Sequence, residues 1–553
     1  MAGPGAPRGG PLILLFLACT GGANGPATSD VVSLRLEPDS AELRVSTGAP
    51  ATVDFEAYAT FFDGSEGPID LVSWTSSNLS AGEIDDAGTF VTTDFNGGVT
   101  TITATHLGIS AEAPVRVIYT EDVLEEGASP ELAAAFAAAQ PITDPTLEIV
   151  YPGDGTRVPR NLDGLGFLWD SPAGHNASRL RLSSEITDLS VLVTDARSWY
   201  ATATMLQRIA ASNRNGTVEV LVESGVWDGS TLSDPRRGQP MTLTVNRLDA
   251  RGSVLYWSTS DRGVLRIPID HAVAEEFWSG QCLGCHAVSE AAQRMVVIQN
   301  GVNGTFSIVD VQDPSAPVEV VGPRDDSRMT FKTLSPDGRY ILATDMGHIL
   351  LYRLDTGALV RSYDLPDLYT HPDFSPDGHT VALVRIWRGW TSEFTQEHGE
   401  IVLMSFEDGD LGDPEVLVAR DTNYNYYYPA WSPDGEWIAY NRTIGSSYAS
   451  DGAELWMISA DGSTTVRLDK ANGGENLRNS YPRWGPLPDD EVLWLAWSSM
   501  RDYPLDDQDA PQIWVSAIDT TLARDGLDPS STPFWLPGQE TGSDNHLPFW
   551  WDE

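Results

Sequence analysis

The sequence predicts an all-β protein in which two β-sandwich modules precede a six-bladed β-propeller. Three observations carry this. Short apolar runs alternate with Gly, Asp, Asn and Pro turn signals from Val31 to the C-terminus. One Ser-Pro-Asp-Gly element recurs through the C-terminal half. The chain has 553 residues, 41% of them hydrophobic, with 18 Trp. At roughly 100–200 residues per domain, that length calls for several packed cores rather than one.

The charge excludes some functions. The chain carries 34 basic and 79 acidic residues, a net charge of −45, and its only lysines are Lys332 and Lys470. Phosphate backbones need clustered Lys and Arg to displace counterions, so no nucleic-acid partner is expected. An anionic membrane surface repels such a chain. Its acidity reads as solubility, and no stretch spells a D-x-D-x-D-G calcium loop. Three cysteines, Cys19, Cys282 and Cys285, make no disulfide framework.

Taken in order, residues 1–18 read as an export signal. Pro11 to Ala18 is an apolar run far shorter than the roughly 20 residues that span a bilayer. Leu17-Ala18-Cys19 resembles a bacterial lipobox, which implies cleavage before Cys19 and lipidation of that residue. The alternative is a plain signal peptide with Cys19 incidental. Residues 19–30 form a Gly-rich tether. No Asp follows Cys19, so the expected place is the cell envelope. The chain would be held at the outer membrane by its lipid anchor only, on the periplasmic side or at the cell surface.

Residues 31–119 alternate apolar and polar side chains: Leu34 and Leu36, Leu43 and Val45, Phe55 and Ala57. Turn signals fall at Asp63-Gly64, Asp86-Ala87-Gly88 and Asn96-Gly97-Gly98, and Trp74 is a candidate core aromatic. Phe61-Phe62-Asp63-Gly64-Ser65, Trp74-Thr75-Ser76-Ser77-Asn78 and Thr101-Ile102-Thr103-Ala104 resemble a bacterial Ig-like domain of the second group. That resemblance implies a spacer or stalk. Residues 120–140 form a linker in which Ser129 caps a short helix opened by Pro130. Residues 141–270 resume short strands and resemble a fibronectin-III or Ig-type sandwich. Its last two runs, Val254 to Ser258 and Val264 to Ile267, belong either to it or to the first blade beyond.

Residues 271–553 hold the repeat. Ser335-Pro336-Asp337-Gly338, Ser375-Pro376-Asp377-Gly378 and Ser432-Pro433-Asp434-Gly435 each precede an apolar strand. Degenerate copies lie at Val288-Ser289-Glu290 and Trp484-Gly485-Pro486. A tight turn joins two strands of a blade, and blades bury their faces only by stacking radially. Leu547-Pro548-Phe549-Trp550 matches Tyr428-Pro429-Ala430-Trp431, so a sixth inner strand closes the ring at the C-terminus. The three intact copies resemble the TolB-like, WD40-like propeller family.

Cys282-Leu283-Gly284-Cys285-His286 has the C-x-x-C-H order of covalent haem c attachment. Two thiols add to the haem vinyl groups and the adjacent His ligates iron. One covalent haem c is therefore expected, with Cys282 and Cys285 binding the cofactor and His286 the metal. A disulfide between the two cysteines is the main alternative. Residues 271–277 read as one or two helical turns, with Phe277 placed as in many small cytochromes c. Repeat alignment puts Cys285 in the slot of Phe331, His371, Tyr428, Tyr481 and Leu547, on one rim of the channel. Met329 and His546 are then candidates for the second iron ligand, with His371 behind them. Met raises and His lowers the potential, within a span of about 0.8 V.

These readings imply a monomeric electron-transfer or redox-sensing protein with a redox or protein partner in the envelope. The alternative is a haem-free propeller that binds a protein or peptide, resembling TolB in role. An enzyme is the lesser expectation, since no Gly-x-Ser-x-Gly elbow, phosphate loop or H-E-x-x-H occurs. A peroxidase-like haem iron is the form it would take.

Overall fold

The computed structural model describes residues 31–552 except 215, 262, 280–283, 290, 300–304, 325–328, 388–391, 394, 449, 488–491 and 504–509. Two compact units divide it. One comprises residues 31–43, 51–93 and 99–116, the other residues 44–50, 94–98 and 117–552.

The first unit is built from short antiparallel strands. Val31–Glu37, Glu56–Phe61 and Glu66–Pro68 form one sheet, and Thr52–Asp54, Thr89–Thr92 and Gly82–Ile84 another. Period-two alternation turns Ala57, Ala59, Phe90, Ile102 and Ala104 inward, all buried. The expected Asp86-Ala87-Gly88 turn is tied by Asp85, whose carboxylate accepts from the Ala87 and Thr89 amides at 2.9 Å each. Gly88 has φ of +87°, and a Cβ there would lie 2.4 Å from the Phe55 carbonyl. The half-buried Trp74 ring packs beside this glycine.

The second unit opens with the expected helix, Pro130–Ala138, whose first turn is capped by Ser129 accepting from the Leu132 amide at 3.3 Å. Ala177–Ser183 lies between Thr187–Thr194 and Thr217–Trp227, which in turn pairs Leu232–Arg237 and Met241–Val245. Ile149–Tyr151, Gly164–Trp169 and Ser198–Thr202 form a second sheet. Glu223 is buried between these strands, with Arg179 donating to it at 2.9 Å and Arg237 at 2.8 Å. This module docks on the propeller. The Tyr151 hydroxyl accepts from the Trp535 amide at 3.0 Å, and Asp163 accepts from the Ala272 amide at 2.7 Å.

Six antiparallel sheets of four main strands follow. Blade two is Gly284–Ser289, Arg294–Gln299, Thr305–Asp310 and Val318–Arg324. Blades three to six begin with the inner strands Lys332–Leu334, Leu368–Phe374, Asn425–Trp431 and Ser480–Trp484. Blade one takes its inner strand, Asn545–Trp551, from the far end of the chain and pairs it with Ser253–Ser258. The six inner strands adjoin one another in a closed cycle. The closure hides two sheet edges that would otherwise be open to pairing.

Two details differ from the sequence reading. Ser253–Ser258 and Gly263–Pro268 belong to blade one, so the propeller begins before the expected division at 270/271. Residues 271–277 hold no helical turn. Glu275–Ser279 is the outer strand of blade one, paired with Gly263–Pro268. That neighbouring strand satisfies backbone groups that an isolated short helix leaves to water. Phe277 is buried there beside Leu255 and Trp551.

Packing between blades follows the strand period. Met295 and Val297 face blade one, while Val296 and Ile298 face blade three. Ile341 and Ala343 turn toward blade two, while Tyr340 and Leu342 turn toward blade four. Second strands are apolar on both faces because both are covered. The Ser-Pro-Asp-Gly turns are self-tied. The Ser375 hydroxyl donates to Asp377 at 2.6 Å, and the His379 and Thr380 amides donate to Asp377 and Ser375, each at 3.0 Å.

Candidate functional site

The channel wall is shaped by a repeated irregularity. In blades four, five, six and one the ladder of the inner strand skips an X-Pro pair: His371-Pro372, Tyr428-Pro429, Tyr481-Pro482 and Leu547-Pro548. Proline has no N–H for the ladder, so each pair bulges out of it. The first residue of each pair takes a left-handed φ: +49°, +48°, +58° and +52°. Such conformations cost about 1–3 kcal/mol each and persist only where packing over-determines them. In blade two the ladder skips at Cys285, between Gly284 and His286.

The bulged side chains meet as a collar across the channel. The His371 ring lies 4.3 Å from Phe331 and 4.1 Å from Tyr428, and Tyr428 lies 4.3 Å from Tyr481. The convergence of these slots on one channel is the geometry expected from repeat alignment. His371 is 4% exposed. Burial first, then the charge of Arg483, holds its imidazole well below the usual histidine range. Neither of its ring nitrogens has a hydrogen-bond partner of full geometry among the described residues, and the Glu393 backbone opposes the downward shift.

His286 stands one residue past the bulge of blade two, where four other blades carry proline. Both its ring nitrogens are buried without a hydrogen-bond partner of full geometry. Burial pushes the imidazole down to about 3; Lys332 and Arg483 push the same way, and the Leu255 backbone opposes them. A neutral imidazole with an uncommitted lone pair has the donor chemistry that a haem iron takes. Its ring centre lies 6.4 Å from that of Phe549.

A cup of about 810 Å³ opens on the side of the Pro-Asp-Gly turns. Every blade contributes to it: Phe549 and Trp550, Val288, Leu334, Asp373, Trp431, and Arg483 with Trp484. Three tryptophans from neighbouring blades share one repeat position. Trp484 Nε1 donates to the Ala430 carbonyl at 2.9 Å and Trp550 Nε1 to the Arg251 carbonyl at 2.8 Å. Deeper in the cup Asp373 accepts from the Trp431 amide at 2.8 Å, and Arg483 Nη1 stands 3.8 Å from Asp373 Oδ1. Burial raises the Asp373 carboxyl above the usual range, against the pull of Arg483.

A strap leaves blade four after Thr380–Ile386. Its Glu393 accepts from the Gly347 amide of blade three at 2.7 Å, and its Gln396 carbonyl accepts from the Ser447 amide of blade five at 2.9 Å. Burial pushes the Glu393 carboxyl up to about 7.

The sequence-derived site residues fall as follows. Cys19 and Cys282 lie outside the described residues, and only the backbone of Cys285 is described. Met329 is fully buried in the apolar core between blades two and three, with Ala287, Phe306 and Tyr352. His546 is half-buried on the inner strand of blade one, its ring 6.2 Å from Trp257 and its Nδ1 3.5 Å from the Ser498 hydroxyl. No cluster of three or more His, Cys, Asp or Glu suited to a metal ion occurs among the described residues. No described helix is long and apolar enough to cross a membrane. The sequence reading passed over Asp373, Arg483 and the tryptophan crescent. The signal was present in the repeat alignment: Ala287, Thr333, Asp373, Ala430, Arg483 and Phe549 share a position, and only two of them carry charge.

No family model matches the chain, and no curated protein sequence matches it. Similar solved structures include the putative TolB of Agrobacterium tumefaciens, at 18% identity and a TM-score of 0.31, covering 52% of this chain and 91% of that one. The TolB of Acinetobacter baumannii is 12% identical with a TM-score of 0.37, over 61% and 80% of the two chains. Hydrazine synthase of Kuenenia stuttgartiensis is 16% identical with a TM-score of 0.34, over 48% and 74%. Likenesses of this size add nothing to the propeller read from strand pairing.

Proposed function

We propose that the chain is a cell-envelope lipoprotein, anchored through Cys19, that carries one covalent haem c on blade two and serves electron transfer or redox sensing. One observation carries the reading. The C-x-x-C-H order at Cys282, Cys285 and His286 coincides with a buried imidazole that is held neutral and whose ring nitrogens have no hydrogen-bond partner of full geometry among the described residues. Cys282 and Cys285 would hold the porphyrin by thioether links and His286 would ligate the iron. Such a group, when bound, supplies one-electron chemistry. The chain's own part is to keep water and protons from His286: burial and the charges of Lys332 and Arg483 disfavour the imidazolium. Met329 or His546 would supply the second iron ligand. The pyridine haemochrome spectrum of exported protein, made with cytochrome c maturation proteins present, tests the reading. A c-type band supports it, and no band removes it.

A second reading is favoured by the cup. A concave site of this size, aromatic-walled with a few polar groups, is where propellers and other folds hold ligands. On this reading the propeller is a haem-free binding scaffold for a protein or peptide.

A further inference from the structure

We infer that the cup is a carboxylate-binding site in which the Arg483 guanidinium receives the ligand's carboxylate and the tryptophan crescent holds its apolar body. This rests on the second reading, that the propeller is a binding scaffold, and is independent of haem. The argument begins with Arg483. Its Nη1 is buried and has no hydrogen-bond acceptor among the described residues. The carboxylate that pairs with it, Asp373, stands at 3.8 Å, too far for a hydrogen bond. Asp373 is held by its other oxygen, Oδ2, which accepts from the Trp431 amide at 2.8 Å. A guanidinium is a planar fork matched to a carboxylate, and here its Nη1 has no acceptor within hydrogen-bond distance among the described residues lining the cavity.

The surroundings select the rest of the ligand. Between Asp373 and Arg483 the ring carries only Ala430, whose small side chain leaves the floor open. Two indoles of the crescent are fixed: Trp484 is tied to the Ala430 carbonyl of blade five, and Trp550 to the Arg251 carbonyl at the start of its own blade. At about 810 Å³ the cup suits a small organic acid or the last residues of a peptide. The shared chemistry is a carboxylate next to an apolar or aromatic group. Either a free acid or a peptide C-terminus presents it.

Calorimetric titration of the full chain separates these. Four probes are used: benzoate, benzamide, and N-acetyl-Gly-Gly-Phe as free acid and as amide. The acid of at least one pair binds, and its amide binds about tenfold more weakly or less. Benzoate binding points to a free acid, and binding of only the acid peptide points to a C-terminus. Arg483→Gln loses binding by a similar factor while its melting curve stays that of the parent. Asp373→Asn moves affinity the other way, because the carboxylate paired with Arg483 is gone; damage to the fold would lower it. Equal binding of acid and amide, unchanged binding by Arg483→Gln, or weakened binding by Asp373→Asn overturns the carboxylate assignment and leaves a scaffold that binds something else. No heat from any probe up to about 10 mM, a free energy near −3 kcal/mol, overturns the carboxylate assignment and leaves the scaffold reading standing.

Discussion

Trp551 offers the sharpest test of ring closure. It is fully buried two residues from the end of the chain, on the strand that completes blade one. Its neighbours are Leu255, Val264 and Phe277 of its own blade and Val288, Met295 and Val297 of blade two. Removing a fully packed tryptophan in Trp551→Ala costs about 3–5 kcal/mol. Part is returned, because the indole N–H is buried without a partner and relieving that recovers about 1–2 kcal/mol. The net expectation is a loss of about 2–3 kcal/mol. Trp551→Phe keeps most of the apolar contact and also sheds the orphan N–H, so it costs less than about 1.5 kcal/mol. Equilibrium urea unfolding, with the slope compared between variants, reads both. A frayed tail would place both variants within about 0.5 kcal/mol of the parent, as surface changes do. Trp551→Ala inside that band refutes closure by the C-terminal strand.

Other expectations follow from buried polar groups. Burial pushes Glu393 up to about 7, above its usual value, so the native state binds the extra proton. That group's stabilisation is therefore complete below the ordinary carboxylate range and falls as pH rises toward 7. Glu393→Gln removes this fall, flattening the stability profile between about pH 5 and 8 by up to about 3 kcal/mol; a profile parallel to the parent's contradicts it. Glu223 is 2% exposed and holds both Arg179 and Arg237, so Glu223→Gln costs about 3 kcal/mol in chemical denaturation. Ser375→Ala breaks the tie to Asp377 and Thr380, costing about 1–2 kcal/mol. The Ser375 hydroxyl and the His379 amide hold Asp377 below the usual range, so its stabilisation is present above that range and lost as pH falls. Ser375→Ala weakens this acid-side loss, read from stability between about pH 2 and 5. If haem is attached, Met329→Ala or His546→Ala shifts the visible spectrum; unchanged spectra in both variants reject the rim geometry.

What was legible in the sequence was what lies close along the chain. Ser375 and Asp377 tie a turn within five residues, so the tetrapeptide announces itself. Tyr428-Pro429 and Leu547-Pro548 advertise one bulge because the missing amide forces it wherever it recurs. Partners far apart in sequence were harder. Ser253–Ser258 could be given to either domain from the sequence, since the inner strand it pairs with is Asn545–Trp551 at the other end of the chain. Residues 271–277 read as helical from local composition, yet Glu275–Ser279 is a strand because Gly263–Pro268 supplies its ladder. Asp373 and Arg483 sit on different blades, and only ring closure brings them within 3.8 Å. The pentapeptide ending at His286 was visible at once, whereas the burial that keeps this imidazole neutral comes from packing against strands distant in sequence, that of Phe549 among them.

Intact mass of the exported, purified chain tests the central claim most directly. Haem maturation proteins are supplied, and the double variant Cys282→Ala with Cys285→Ala is run alongside. The account predicts a parent heavier than its processed, lipidated polypeptide by one haem, with the increment absent from the variant. A parent at polypeptide mass, or two hydrogens lighter as a Cys282–Cys285 disulfide, contradicts it.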